Sequence, residues 1–221
     1  LFNEILDGNV VFLVDGMAVF FSVDASSNEG RAIEQPTSQT IIKGPKDAFV
    51  EDIDKNLFLI RKRIRNKALK VEDMTIGSVT HTKIKLIYIS NIAKTEIIKD
   101  VRDRLYNISY DGILDSGYIE QLIKTNKYSI FPTILNSEKP DAVAGALLEG
   151  RLAILVDGTP YVLTAPAIFN DFIQSSEDYY YTFYVASAMR VTRYLALLLT
   201  LLVPAAYIAL TTFHQEIIPT P

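Results

Sequence analysis

Between Arg193 and His214 the chain runs YLALLLTLLVPAAYIALTTF, twenty residues without a charge. A helix needs a stretch of about that length and apolarity to cross the hydrocarbon core of a bilayer. The competing reading is a core helix of a soluble domain. It fares poorly, because such helices seldom run so long without a polar face. The span is therefore set at Tyr194 to Phe213. Pro204 sits in its middle, where it removes a backbone donor and frees a carbonyl that neighbouring helices often satisfy. That favours a bundle over a lone anchor. Arg190 and Arg193 precede the span, and His214, Gln215 and Glu216 follow it. The basic residues on the leading side put the preceding region in the cytoplasm. Just upstream, 177–193 reads EDYYYTFYVASAMRVTR. Its Tyr179, Tyr180, Tyr181, Phe183 and Tyr184 suit an interfacial aromatic belt or an amphipathic helix lying along the membrane surface. A helix packed on the soluble region competes on equal terms, so 174–193 is read as an interfacial or linking helix.

The soluble part carries an internal repeat. Residues 5–23 read ILDGNVVFLVDGMAVFFSV and residues 147–165 read LLEGRLAILVDGTPYVLTA. The offset is 142 residues, from Asp15 to Asp157, and Gly8/Gly150, Asp15/Asp157 and Gly16/Gly158 are identical pairs. In each copy a helix-like end meets a Gly that can take a left-handed conformation and stop the helix. A short apolar strand, Asp-Gly and a second apolar strand follow, which is a strong hairpin signal. Two related subdomains are expected, the first lacking most of its upstream helix. The chain also starts at Leu1 without an initiator Met and with no secretory signal, so it reads as a fragment.

Between the copies, 24–46 reads as a linker rich in polar residues, Gly and Pro. Pro45 then suits the first turn of a helix over 45–65, with Phe49, Ile53, Leu57, Ile60 and Ile64 on one face. Strands follow near 73–79 and 82–90. A helix near 94–108 has the stripe Ile97, Ile98, Val101, Leu105 and Ile108. Asp115-Ser116 can cap a helix ending near Thr125. Pro140 opens a further helix and Gly150 closes it. The alternation of strands and helices predicts an α/β fold: two small α/β subdomains with mixed sheets, followed by a transmembrane helix. The expected organisation is 1–23 as the hairpin end of a first subdomain, 24–46 linker, 47–173 second subdomain, 174–193 connecting helix, 194–213 span and 214–221 the next loop.

Chemistry is sparse. The net charge is −4 and there is no Cys, which excludes disulfides and thiolate nucleophiles and gives no basic footprint for nucleic acid. Asp15 and Asp157 sit in Asp-Gly turns, where a carboxylate serves turn geometry. The two His, His81 and His214, are far apart in sequence and lack metal-ligand spacing, so no metal or cofactor is expected. Gly44-Pro45-Lys46 reads as a capping turn before an anion site. Arg61, Lys62, Arg63 and Arg65 form the densest basic patch. It suits anionic lipid headgroups, although a solvated helix end favoured by the helix dipole explains it as well. No acid, base and nucleophile constellation emerges, so no enzyme is expected.

Five ordered segments are more specific than this physics. They are EQPTSQTIIKGPKDAFVEDIDKNLFLIRKRI (34–64), LDSGYIEQLI (114–123), KPDAVAGALLEGRLAILVDGTPYVL (139–163), QSSEDYYYTFY (174–184) and YIALTTFHQEIIPT (207–220). Together they resemble the GerA family, the A subunits of nutrient germinant receptors in endospore-forming bacteria, over nearly the whole chain. The resemblance implies a cytoplasmic region of two subdomains followed by several membrane helices, in the spore inner membrane. It implies B and C subunits as partners, self-assembly, and a part in nutrient-triggered ion release. Two rival readings remain. One is a small-molecule module whose cleft between two lobes holds a nutrient germinant. The other is a tail-anchored membrane protein of different function.

Overall fold

The computed structural model describes residues 9–13, 20–24, 44–124 and 131–213. Its organising element is a strand with two apolar faces. In β4 (Thr82–Ile89), Ile84 and Leu86 point to one side of the sheet and Ile87 and Ile89 to the other, and all four are buried. In β6 (Leu152–Val156) every residue is buried, with Leu152, Ile154 and Val156 alternating against Ala153 and Leu155. Strands like these need cover on both sides, because successive side chains face opposite ways. The cover is a layer of helices on each face.

The sheet has five strands in the order β3 (Leu69–Ile76), β4, β6, β7 (Val162–Ala165) and β5 (Leu135–Ser137). One face packs on α1 (Ile53–Arg63) and α4 (Pro140–Leu148) through Ile53, Leu57, Ile60, Val143 and Leu147. The other packs on α2 (Thr95–Tyr106) and α3 (Ser116–Ile123) through Ile98, Val101, Leu105, Ile119 and Ile123. The α/β class is as expected. The expected mixed sheet is not: every described strand pairing is antiparallel. Strand–helix alternation suggested parallel crossovers. Instead, the excursion from β4 to β6 lays α2 and α3 on one face, adds β5 at the sheet edge, and returns through α4 on the other face.

Local signals explain most boundaries. The Asp115 carboxylate accepts from the Gly117 backbone N–H at 3.2 Å and starts α3. Pro140 stands in the first turn of α4, and Gly150 beyond its end has φ +87°. The helix expected from Pro45 begins eight residues later, at Ile53. Asp52 is its cap, accepting from Asp54 and Lys55. The stretch before it stays extended because its backbone is used elsewhere. Asn56, itself buried, holds Val50 by two hydrogen bonds of 2.8 and 2.6 Å, and the Phe49 N–H donates to the Glu138 carbonyl at 2.8 Å. Strand β3 starts at Leu69, earlier than its expected position.

The repeat reappears in strand register. β1 (Asn9–Leu13) and β2 (Phe20–Asp24) form an antiparallel hairpin. Shifting its pairs Val10↔Val23, Val11↔Ser22 and Phe12↔Phe21 by the sequence offset gives Leu152↔Ala165, Ala153↔Thr164 and Ile154↔Leu163, which are the pairs of β6 and β7. The turn residues Gly8, Asp15 and Gly16, and most of the 24–46 linker, lie outside the described residues.

The chain divides into two units, 1–168 and 169–221. The second unit holds two short 3-10 turns, Phe169–Phe172 and Ser176–Tyr179, and one long helix, α5 (Phe183–Phe213). A separate helix over 174–193 is not formed. Residues 176–179 are a capped turn, and the helix runs from Phe183 into the apolar segment.

Candidate functional site

Two places gather the residues that the sequence singled out. The first is the β6–β7 connection. It is longer than a two-residue Asp-Gly hairpin, because β7 resumes only at Val162. Gly158 still takes a positive φ of +84°. The added length makes this turn a junction. The Asp157 N–H donates to the Lys83 carbonyl at 3.0 Å, and the Gly158 N–H to the Glu51 carbonyl at 2.9 Å. The Asp157 carboxylate accepts from the Ile53 N–H at 3.4 Å, so it supports the start of α1 from across the fold. The buried Thr159 hydrogen-bonds the carboxyl of Asp115, the cap of α3. Burial pushes that carboxyl up, but Thr159 and the backbone N–H groups of Gly117 and Ser116 outweigh it and hold it below the ordinary carboxylate range. Asp157-Gly158-Thr159 thus ties one helix from each layer to the end of the sheet.

The second place precedes the apolar helix. The Asp178 side chain is wholly buried. It receives Arg193 Nη1 on both oxygens, at 3.0 and 2.8 Å, and Arg190 Nε at 3.3 Å. Ser175 caps the same turn, accepting from the Glu177 N–H at 3.3 Å, while Asp178 accepts from the Ser175 N–H at 3.4 Å. Burial would raise the Asp178 carboxyl. Arg193, the Ser175 backbone and Arg190 together lower it below its usual range. The two arginines that precede the apolar run are the jaws of a clamp. One step further on, the Tyr194 hydroxyl donates to Asn170 Oδ1, tying the first 3-10 turn to the first residue of the apolar run.

The remaining candidates are dispersed. In the basic patch, Arg63 is half-buried, bonds the Asp47 carboxylate, and donates to the Leu59 carbonyl at 3.1 Å. It fastens the end of α1, whereas Arg61, Lys62 and Arg65 are exposed. Of the expected aromatic belt, Tyr179, Phe183 and Tyr184 are exposed, while Tyr180 and Tyr181 are half-buried. His81 occupies the β3–β4 turn with φ +47°. Among the described residues no group of His, Asp and Glu is arranged to hold a metal ion. An open depression lined by Ser109, Tyr110, Asp111, Gly112 and Tyr118 lies within the first unit. Two features escaped the sequence reading altogether. One is Asp178, hidden in an acidic-aromatic string. The other is Lys139, fully buried against Asp141 at 3.2 Å where α4 begins. The spacing of an acid twelve and fifteen residues before two arginines is a signal only once the turn between them is known.

Architecture and site define a class of protein: an α/β/α sandwich unit followed by a second unit whose charge-clamped turn leads into a helix long and apolar enough to cross a membrane. Comparison with known proteins narrows this. The family described as "Bacillus/Clostridium GerA spore germination protein" matches residues 1–221, and the chain belongs to that family. Spore germination protein KA of Bacillus subtilis (strain 168) is 47% identical over 220 residues, covering 100% of this chain and 40% of that protein. Spore germination protein A1 of the same organism is 41% identical over 218 residues, covering 99% of this chain and 45% of that protein. The chain therefore spans less than half the length of these relatives. Among solved structures, the crystal structure of the N-terminal domain of the A subunit of the Bacillus megaterium spore germinant receptor GerK3 is similar. The TM-score is 0.56 at 43% identity, covering 76% of this chain and 59% of that one.

Proposed function

We propose that this chain is the cytoplasmic region and first membrane span of the A subunit of a nutrient germinant receptor in the spore inner membrane. It assembles with B and C subunits and with copies of itself, and takes part in nutrient-triggered ion release. It does so as a non-enzymatic coupling element. The observation that carries this reading is the buried Asp178 held by Arg190 and Arg193, since it fixes a defined turn to the end of the apolar helix. Family membership and the likeness to a receptor A-subunit domain support the same reading. The basic surface of Arg61, Lys62 and Arg65 and the turn at Asp157-Gly158 are its candidate assembly surfaces.

The test is germination of spores in a strain stripped of other nutrient receptors, carrying the full-length gene either intact or as Asp178→Ala. The intact gene restores germination to one class of nutrient, and Asp178→Ala loses it while leaving the spores responsive to non-nutrient triggers. Full germination with every nutrient in the absence of the gene would refute the reading.

A further inference from the structure

We infer that the first 3-10 turn, Phe169–Phe172, is a membrane-interface anchor of this chain, and that Phe183 and Tyr184 are not. The partner is the headgroup–acyl boundary of a lipid bilayer. The inference uses only the membrane-spanning reading of α5 and is independent of any nutrient response.

Depth along the helix axis separates the two groups of aromatic residues. Helix α5 has 31 residues, which makes it about 46 Å long at about 1.5 Å per residue. The hydrocarbon core takes up about 30 Å, or about twenty residues, and the uncharged run from Tyr194 to Phe213 fills it. The leading part, from Phe183 to Arg193, stands outside that core. Phe183 and Tyr184 are then about 15 Å from the start of the apolar run, whereas the headgroup layer is only about 5–8 Å deep on each side. A tilt of about 20° barely changes this. Both rings are highly exposed, at 78% and 84%, but they sit at the wrong level for a belt.

Asn170 is held at the right level by the hydroxyl of Tyr194. Side chains on a helix lean toward its N-terminus, so Asn170 lies within about one turn, ~5 Å, of the start of the span. On either side of it Phe169 and Phe172 are 57% and 44% exposed. Two exposed phenylalanines at that depth meet headgroups and upper acyl chains, where aromatic rings are favoured. The charges nearby do not favour an electrostatic mechanism. Asp171, Glu177 and Asp178 accompany Arg190 and Arg193, and Asp178 is already neutralised by the arginines. Apolar burial is the driving force, so the anchor works on zwitterionic as well as anionic lipid.

The chain has no tryptophan, so one introduced indole reports on one place. The chain is reconstituted as Phe172→Trp, Phe169→Trp or Tyr184→Trp into phosphatidylcholine vesicles containing lipids brominated at shallow or deep acyl positions. A parallel series contains phosphatidylglycerol. The Phe172→Trp and Phe169→Trp proteins are expected to show blue-shifted emission and to lose most of it to the shallow bromines, equally in both lipid series. The Tyr184→Trp protein is expected to emit as a water-exposed indole without quenching. Quenching of Tyr184→Trp with Phe172→Trp and Phe169→Trp unquenched would overturn the inference in favour of a surface-lying 177–193 segment. Quenching confined to the anionic series would overturn the apolar mechanism. Burial that appears only when other receptor subunits are added would overturn the lipid assignment.

Discussion

Gly150 and Gly158 are repeat-bearing glycines with nearly the same backbone angle, φ +87° and +84°, in different surroundings. A Cβ at Gly158 would meet nothing within 4 Å. Replacing it with Ala therefore costs only the left-handed backbone, about 1–2 kcal/mol. A Cβ at Gly150 would lie 3.1 Å from the Ile92 carbonyl oxygen and 3.3 Å from Ile92 Cγ2. The neighbour is backbone that follows the end of β4, so it yields poorly, and overpacking adds about 1–3 kcal/mol to the same strain. Gly150→Ala is thus expected to lose about 2–5 kcal/mol in all. Pulse proteolysis in a urea series, on the chain in detergent micelles, reads the midpoint of the first unit for both variants. Gly158→Asn should recover most of the Gly158→Ala loss, because Asn tolerates the left-handed region. Gly158→Val should exceed Gly158→Ala because its branched side chain is poorly tolerated at positive φ. Equal midpoints for Gly150→Ala and Gly158→Ala would refute the reasoning, as would no rescue by Asn.

Three further outcomes are expected. Asp178→Asn should weaken the turn before α5 by about 1–3 kcal/mol, below the full value of a buried pair because the arginines are about a third exposed. Since the folded carboxyl is held below its ordinary value, this stabilisation is complete above about pH 4 and is lost as pH falls through the folded value. Hydrogen exchange of the amides at 176–190 reads both effects. Leu155→Ala, at a fully buried position, should cost about 2–5 kcal/mol in the same urea series. Its repeat equivalent Leu13 is 71% exposed, and Leu13→Ala should stay within about 0.5 kcal/mol. Glu72 accepts from the Tyr88 hydroxyl at 2.6 Å and pairs with Arg102. That carboxylate raises the Tyr88 hydroxyl, so Glu72→Gln should bring its titration down, seen in tyrosinate absorbance, at a stability cost of about 1 kcal/mol or less.

The features legible in the sequence were those with local causes. The Asp115 cap, the Pro140 start and the Gly150 stop are each set by a few neighbouring residues, and the α2 stripe of Ile98, Val101 and Leu105 is set by helical period. What could not be read there has its cause far along the chain. Phe49 and Val50 stay extended because Glu138 and Asn56 use their backbone groups. The three residues of β5 form a strand only because β7 pairs with them. Sheet polarity depends on where a long excursion re-enters, which no periodicity encodes. At the site, Arg190 and Arg193 were visible as charges, but the partner that orders them was not. Lys139 drew no notice for the same reason: its counter-ion Asp141 and its burial follow from the packing of α4.

The clamp on α5 also sets an angular phase. Successive residues of a helix advance by about 100°. Counting from Arg193, Thr200, Pro204 and Thr211 return to within about 20° of the same direction, with Arg190 about 60° away. Thr200, Pro204 and Thr211 therefore lie on one meridian, which continues the line that Asp178 grips. Thr200 and Thr211 already turn their hydroxyls back to their own helix, onto the Ala196 and Tyr207 carbonyls at 2.7 and 2.9 Å. Pro204 leaves the Thr200 carbonyl without its usual helical donor on that same side. Fixing the azimuth of the helix at its charged end thus fixes which way its hydrogen-bonding seam points inside the bilayer, and a single-residue insertion after Arg193 would turn that seam through about a quarter of a revolution.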